Sequence, residues 1–211
     1  MSEASRPHWE QVHATGAEDG VSWFQETPGP SLALLGSAGL TAGTSLIDVG
    51  AGASRLVDAL LESGLRDVTV LDLSAHALER ARARLGDRAN AVSWIACDVT
   101  AFVPTRTYDL WHDRAAFHFL TDADARNAYK QALSHAVRPG GQAIIATFAD
   151  DGPERCSGLP VVRYSPESLA AEFADGWSPA EVLRDEHRTP SGRIQPFTFV
   201  RFVRGVSKES R

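Results

Sequence analysis

The chain is poor in the features that mark specialised protein classes. Only two cysteines stand among its 211 residues, too few for a disulfide framework. No cysteine or histidine pair has the C-x-x-C or H-x-x-x-H spacing of a metal site, which argues against a structural zinc. No stretch approaches the roughly 18 apolar residues that span a bilayer. The first residues, MSEASRPHWEQ, are polar and lack the apolar run of a secretory leader. The net charge is −6, the wrong sign for a typical nucleic-acid binder. Internal repeats and low-complexity linkers are absent. These gaps point to a cytoplasmic protein of one domain, residues 1–211, with no membrane or nucleic-acid partner. A monomer is expected, with a homodimer as the alternative. The one basic cluster is Arg80, Arg82, Arg84 and Arg88. It shares a helical segment with the apolar positions Leu78, Ala81 and Leu85, so it reads as a solvated face.

What is present is an alternation of short apolar runs with helical patterns, the sequence form of an α/β protein built on a parallel sheet. The strand candidates are Ser45–Val49, Val68–Asp72, Ala91–Ala96, Tyr108–His112 and Gln142–Phe148. Between them, Ser54–Ser63 reads as a helix with Gly64 as its stop, and Ser74 caps another that runs to Leu85. Asp122–Val137 is the clearest helix, with Ala125, Tyr129, Leu133 and Ala136 at helical spacing and Pro139-Gly140-Gly141 as the expected stop. Residues 45–148 would thus form the βα units. Residues 165–204 change character: a short helix Ser165–Ala174 opens with Pro166 at its first position. Two strand-like runs follow, Ala180–His187 and Pro196–Arg204. Residues 1–40 are expected to form a helical cover, including the apolar helix Ser31–Leu35.

The first strand ends in Asp48-Val49-Gly50-Ala51-Gly52. Glycines there let a ligand come close to the backbone, but a G-x-G alone fits many cofactors. Three features narrow the choice. Asp48 would repel a pyrophosphate, and suits a ligand carrying an ammonium group. Arg55 stands where a dinucleotide fingerprint has its third glycine. Asp72 ends the second strand, 24 positions after Asp48, as expected for an acceptor of ribose hydroxyls. Cys97-Asp98-Val99 closes the third strand, and Asp98 suits an adenine amino group. All fall on the strand ends where open α/β sheets bind ligands.

With these residues in view, the sequence resembles the class I S-adenosylmethionine-dependent methyltransferases over nearly its whole length. LIDVGAGAS (46–54), VLDLS (70–74), ACDV (96–99), YDLWHDRAAFHFL (108–120) and RPGG (138–141) match the family's motifs in order. The resemblance implies a Rossmann-like seven-stranded sheet, mostly parallel, with a reversed last strand and helices on both faces. It implies S-adenosyl-L-methionine as the cofactor. Asp48, Gly50, Ala51 and Gly52 would hold its methionine part. Asp72 and Leu73 would hold the ribose side, and Cys97, Asp98 and Val99 the adenine side. A closer likeness joins the chain to small bacterial methyltransferases with a Ser-Trp-Phe/Tyr-Gln motif, here Ser22-Trp23-Phe24-Gln25. That group also shows Asp113–Leu120 and Cys156–Leu159; at His13 it would carry tyrosine.

Methyl transfer from a sulfonium is an in-line displacement that needs alignment, exclusion of water and in some cases removal of a proton. Trp23 and Gln25, with Phe24, are candidates to close over the cofactor, although Trp23 and Phe24 also suit core anchors. The fourth strand delivers Asp113, the first candidate to orient a substrate. His118 is the candidate general base, with packing as the alternative. His112 is expected to point to the opposite face of the strand. Arg114 suits a pair with Asp113 or an anionic substrate. Cys156 reads as a buried thiol or a ligand for a soft substrate. His187, Arg193 and Gln195 flank the same edge. The leading reading is transfer to a small molecule; the alternatives are a protein lysine acceptor, a non-catalytic cofactor-binding partner subunit and, weakest, an NAD enzyme.

Overall fold

A computed structural model describes residues 5–206; residues 1–4 and 207–211, at the two ends of the expected domain, lie outside the described part. Seven strands form the main sheet: β1 (Ser45–Val49), β2 (Asp67–Asp72), β3 (Val92–Ala96), β4 (Tyr108–Arg114), β5 (Val137–Phe148), β8 (Trp177–Arg188) and β9 (Ile194–Arg204). A two-residue pair, β6 (Arg155–Cys156) and β7 (Leu159–Pro160), makes a separate hairpin. The sheet order is β3-β2-β1-β4-β5-β9-β8. The first five strands are parallel, and β9 runs antiparallel to both β5 and β8. The helices are α1 (Arg6–Thr15), α2 (Gly29–Ser37), α3 (Leu56–Glu62), α4 (Ala75–Leu85), α5 (Ala123–Ala136) and α6 (Pro166–Glu172).

Strand alternation sorts the core into two layers, because successive side chains point to opposite faces. On one face Ile47, Trp111, Ile145, Val200 and Phe202 pack with Tyr129 and Leu133 of α5 and with Leu169 of α6. On the other, Leu46, Val70, Leu110, Ile144 and Phe199 pack with Leu34 of α2, Leu60 of α3 and Leu78 of α4. Removing one such large side chain from water stabilises the fold by about 1.5–3 kcal/mol. Sheets buried on both faces need near-continuous apolar strands, as β1 and β2 are. The edge strand β8 instead carries exposed charges at alternate positions, Arg184, Glu186 and Arg188, which discourages pairing with another chain.

Several boundaries differ from expectation. β4 continues two residues past His112 to Arg114, since Asp113 and Arg114 are polar in type but still paired, Arg114 with Ala146. The α3 helix opens at Leu56 rather than Ser54, because Ser54 Oγ accepts the Leu56 N–H at 3.1 Å and holds the chain in a turn. Pro139-Gly140-Gly141 does not end α5. The helix stops at Ala136, where Val137 is already extended, and the Pro-Gly-Gly step lies inside β5. A Cβ on Gly141 would stand 2.6 Å from Val137 Cγ1 and 2.9 Å from the Asp109 carbonyl, so the close crossing of β4 and β5 requires glycine. Ser74 caps its helix as expected, and Asp122 and Ser165, expected as the first residues of theirs, are caps too: each of the three accepts a backbone N–H from the first turn.

Candidate functional site

The parallel strands β1 to β5 end on one edge, and the chain crosses it from β1 to α3 in a tight loop. Gly50 and Gly52 have φ of 63° and 57°, a region open to glycine at little cost. The Gly50 N–H donates to Leu71 O of β2 at 2.8 Å, and the Gly52 N–H donates to Asp72 Oδ2 at 2.7 Å. From outside, Arg84 of α4 donates to the carbonyls of Ala53 and Ser54 at 3.0 and 2.8 Å. A Cβ on Gly52 would meet the His13 ring at 3.3 Å. The loop is therefore pinned on both sides, and at Gly50 and Gly52 it carries no side chain toward the cleft.

Beside it Asp48 is only 2% exposed. Its Oδ1 accepts from His112 Nδ1 at 2.7 Å, and His112 Nε2 meets Ser31 Oγ of α2 at 2.8 Å. Its Oδ2 is buried without a hydrogen-bond partner among the described residues. A buried carboxylate oxygen left open is costly unless something fills it. His112 sits in register with Asp48 and on the same face, not on the opposite one. Arg114, two residues on, shares that face. Its Nη1 donates to Trp23 O at 3.1 Å, and its guanidinium carbon lies 4.5 Å from the centre of the Phe197 ring. Burial lowers its pKa to about 10, with Asp185 acting in the other direction.

These groups line one cavity of about 80 Å³, together with Trp9, His13, Trp23, Phe24, Gln25, Gly50, Ala51, Gly52 and Asp72. Pockets for drug-sized ligands are larger, about 300–1,000 Å³. The space is small because aromatic rings close over it. Trp9 packs on Trp23 at 5.8 Å and on Phe119 at 5.0 Å, and His13 on Trp23 at 6.2 Å. Burial, helped by Arg80, lowers the His13 pKa to about 4, so its ring is neutral near pH 7.

Residues 46–141 match the family model of the methyltransferase domain. That stretch, 96 of the 211 residues, is similar to the class I S-adenosylmethionine-dependent methyltransferases. Among curated proteins the chain is similar to nodulation protein S of Bradyrhizobium diazoefficiens, 28% identical over 107 residues. That match covers 51% of this chain and 50% of the relative, so the chain spans about half the length of the curated protein it matches. Two solved structures share the fold. The N-methyltransferase NodS from Bradyrhizobium japonicum, in complex with S-adenosylhomocysteine, is 18% identical with a TM-score of 0.71, over 95% of this chain and 98% of that one. A Burkholderia thailandensis 1,6-didemethyltoxoflavin-N1-methyltransferase, bound to 1,6-didemethyltoxoflavin and S-adenosylhomocysteine, is 22% identical with a TM-score of 0.68, over 96% and 85% of the two chains.

The expected cofactor residues divide into two groups. Trp23, Gln25, Asp48, Gly50, Ala51, Gly52 and Asp72 stand on the cavity wall. Leu73, Cys97, Asp98 and Val99 do not. Asp98 Oδ1 accepts from the Thr100 N–H and hydroxyl at 2.9 and 2.7 Å and caps a short helical turn. Val99 packs in the core, and the Leu73 carbonyl accepts from Arg6. Over this end lies α1, whose Glu10 accepts from the N–H groups of Ala75 and His76 at 2.8 and 3.1 Å and from Ser74 Oγ at 2.9 Å. Burial raises the Glu10 carboxyl, but these donors outweigh it and bring the pKa down to about 2. Asp72 goes the other way. Burial pushes it up to about 6 against the N–H groups of Ser74 and Gly52.

The two residues expected to do chemistry are turned away from the cavity. Asp113 projects to the opposite face of β4, as alternation from His112 requires. Its oxygens accept from the Ala116 and Phe117 N–H groups at 2.8 and 3.0 Å and from the Tyr129 hydroxyl at 2.6 Å. Burial raises its pKa to about 6. This network holds the turn in which Ala115 adopts φ 72°, an uncommon conformation for alanine. His118 is fully buried, edge-on to Phe119 at 4.5 Å, and its Nδ1 accepts the Phe148 N–H at 3.3 Å. Burial lowers its pKa to about 3, which leaves it neutral and a poor base. Cys156 lines the cavity, yet burial raises its thiol to about 12, so it remains protonated.

Neither Ser31 nor Glu10 carries a local signal of its place in this arrangement. Arg80 and Arg84 are also not simply solvated. Arg80 donates to the carbonyls of His13 and Gly16 at 2.8 and 2.6 Å, and Arg84 pairs with Asp58 at 2.7 Å. Their i, i+4 spacing, which puts both on one helix flank, is the signal that marks them. His187 is used as well: its Nε2 donates to Ser22 O at 2.7 Å, anchoring the segment that precedes Trp23. Among the described residues no group of acidic, histidine or cysteine side chains is arranged to hold a metal, and no helix is long and apolar enough to cross a membrane.

Proposed function

We propose that the protein transfers a methyl group from S-adenosylmethionine to a small-molecule acceptor. The observation that carries this reading is Asp48 Oδ2: a buried, open carboxylate oxygen beside a bare glycine turn, inside a cavity roofed by aromatic rings. When bound, the cofactor supplies an electrophilic methyl sulfonium. In this reading Asp48 takes the ammonium end, held in place by His112 and Ser31. Gly50, Ala51 and Gly52 allow close approach of the carboxylate end. Asp72 exchanges its backbone N–H partners for ribose hydroxyls, and Leu73, Cys97, Asp98 and Val99 receive the adenine once α1 yields. Trp23, Phe24 and Gln25 shield the sulfonium from water. Asp113 and His118 serve as positioning residues that fix the turn after β4 and its packing on β5. The small closed cavity favours a small acceptor over a lysine side chain on a folded protein. The same reading takes residues 1–211 as one domain, with cover 1–40, βα units 45–148 and C-terminal part 165–204. It acts as a monomer in the cytoplasm, in keeping with two cysteines that form no disulfide.

The test is incubation with methyl-labelled S-adenosylmethionine and a cell extract split into protein and small-molecule fractions. Label in the small-molecule fraction, with release of S-adenosylhomocysteine, is the expected result. Label confined to protein bands supports a protein acceptor instead. Failure to form S-adenosylhomocysteine with any fraction leaves a cofactor-binding subunit.

A further inference from the structure

We infer that Arg114 is the anchor for a carboxylate carried by the methyl acceptor. This rests on the methyltransferase reading and goes beyond it, because it assigns the acceptor's chemical class. Arg114 follows His112 on the same face of β4, about 7 Å further toward the carboxyl edge at the usual rise per residue. It lines the cavity. One end of its guanidinium is committed, since Nη1 donates to Trp23 O, and one flat face rests on Phe197. What remains is the edge formed by Nε and Nη2. Both atoms are shielded from solvent and have no hydrogen-bond partner among the described residues. On a guanidinium these two N–H groups are parallel and spaced for the two oxygens of one carboxylate.

The surroundings do not satisfy that edge. Asp185 is near enough to act on Arg114 through space, yet no ion pair joins them; Asp185 Oδ2 is itself buried without a partner among the described residues. Cys156, the other neighbour, carries a protonated thiol. His187 spends its Nε2 on Ser22. A shielded cation with two open donors is an expensive arrangement, and an incoming carboxylate relieves it with two charge-assisted bonds. Asp48 and Asp185 on either side disfavour a doubly charged group, so a monoanionic carboxylate fits better than a phosphate. The rings of Trp23, Phe24 and Phe119 on the cavity wall suit a flat, apolar body behind the acid group.

The experiment is calorimetric titration of the S-adenosylhomocysteine-loaded protein with benzoate and with its neutral isostere benzamide. Wild type is expected to bind benzoate about tenfold or more tightly than benzamide. Arg114→Lys keeps the charge and loses the fork, so benzoate should weaken about tenfold while benzamide is unchanged. Arg114→Met should abolish the preference. In both variants the affinity for S-adenosylhomocysteine should stay within about threefold of wild type, which also shows that they are folded. Equal binding of benzoate and benzamide to wild type, no binding of either, or full benzoate affinity in Arg114→Lys each overturns the assignment. Absence of S-adenosylhomocysteine binding in wild type overturns instead the reading on which it rests, and the assignment with it.

Discussion

The two ends of the cleft are built differently. At the ends of β1 and β4, Asp48 and Arg114 keep buried polar atoms without partners among the described residues. At the ends of β2 and β3, the corresponding carboxylates are engaged within the protein. Asp72 accepts from Gly52 and Ser74, Asp98 from Thr100, and Glu10 of α1 occupies the first N–H groups of α4. The first end is preorganised for a ligand and gains its hydrogen bonds without losing others. The second must give up protein hydrogen bonds to make new ones, so its net contribution per contact is smaller. The contrast assigns affinity to the β1–β4 end, and opening and closing to the β2–β3 end.

The sharpest break of that contrast is Asp48→Asn. It keeps the shape and a bond to His112 but removes the charge facing an ammonium. Calorimetry should show S-adenosylhomocysteine binding weakened about 30- to 1,000-fold, about 2–4 kcal/mol. A loss under threefold would place the anchor elsewhere. The next effect is on pH. In the proposed function Asp72 accepts ribose hydroxyls as a carboxylate, and burial holds its pKa near 6 in the ligand-free protein. Binding should therefore be flat above pH 6 and weaken by up to about tenfold per unit as pH falls below 6. Asp72→Asn should bind more weakly and lose this slope; a wild-type profile that is flat to pH 5 contradicts the assignment.

The smallest expected effect is at the α1 contact. Glu10→Gln keeps the side-chain length but removes the charge from the four hydrogen bonds that Glu10 makes, to Ser74 Oγ, the N–H groups of Ala75 and His76, and His76 Nδ1. This should lower the melting temperature at pH 7 by about 2–4 °C. The Glu10 pKa is depressed to about 2, so its stabilising effect is full above about 4.5 and fades as pH falls toward 2. The gap between wild type and variant should close over that range. An unchanged melting temperature at pH 7 would show that α1 is held by its aromatic contacts instead.

The sequence was most informative where a carboxylate ends an apolar run. Asp48, Asp72 and Asp98 each interrupt a strand pattern, and only a backbone held at a sheet edge gives such a residue a use. The cap Ser74 and the helix starts at Asp122 and Ser165 were readable for a similar reason, because capping is local. β4 was misleading. Its YDLWHDR is buried on both faces although four of its seven residues are polar, so periodicity leaves open which of His112 and Asp113 faces the ligand. The answer depends on register with β1, where His112 pairs with Asp48 and Val49 with Asp113. Pro139-Gly140-Gly141 misled for a related reason. It is a stop signal in a local reading, but here it serves the approach of β4 to β5.

Local chemistry thus fixed what this chain could decide alone: the α/β class, the glycine turn, the strand-end carboxylates and the helix caps. These depend on neighbours in sequence and on the backbone's own geometry. Tertiary structure decided which polar residues are spent and which are left open. Asp113 became structural because Tyr129 of α5 and the turn after β4 supply its partners, while His118 is held by the Phe148 N–H through Nδ1 alone and keeps a buried Nε2 without a partner among the described residues. Asp48 and Arg114 remained open because nothing described in the protein completes their hydrogen bonds. Whether a buried group is satisfied is a property of every segment packed around it, and no single stretch of sequence contains it.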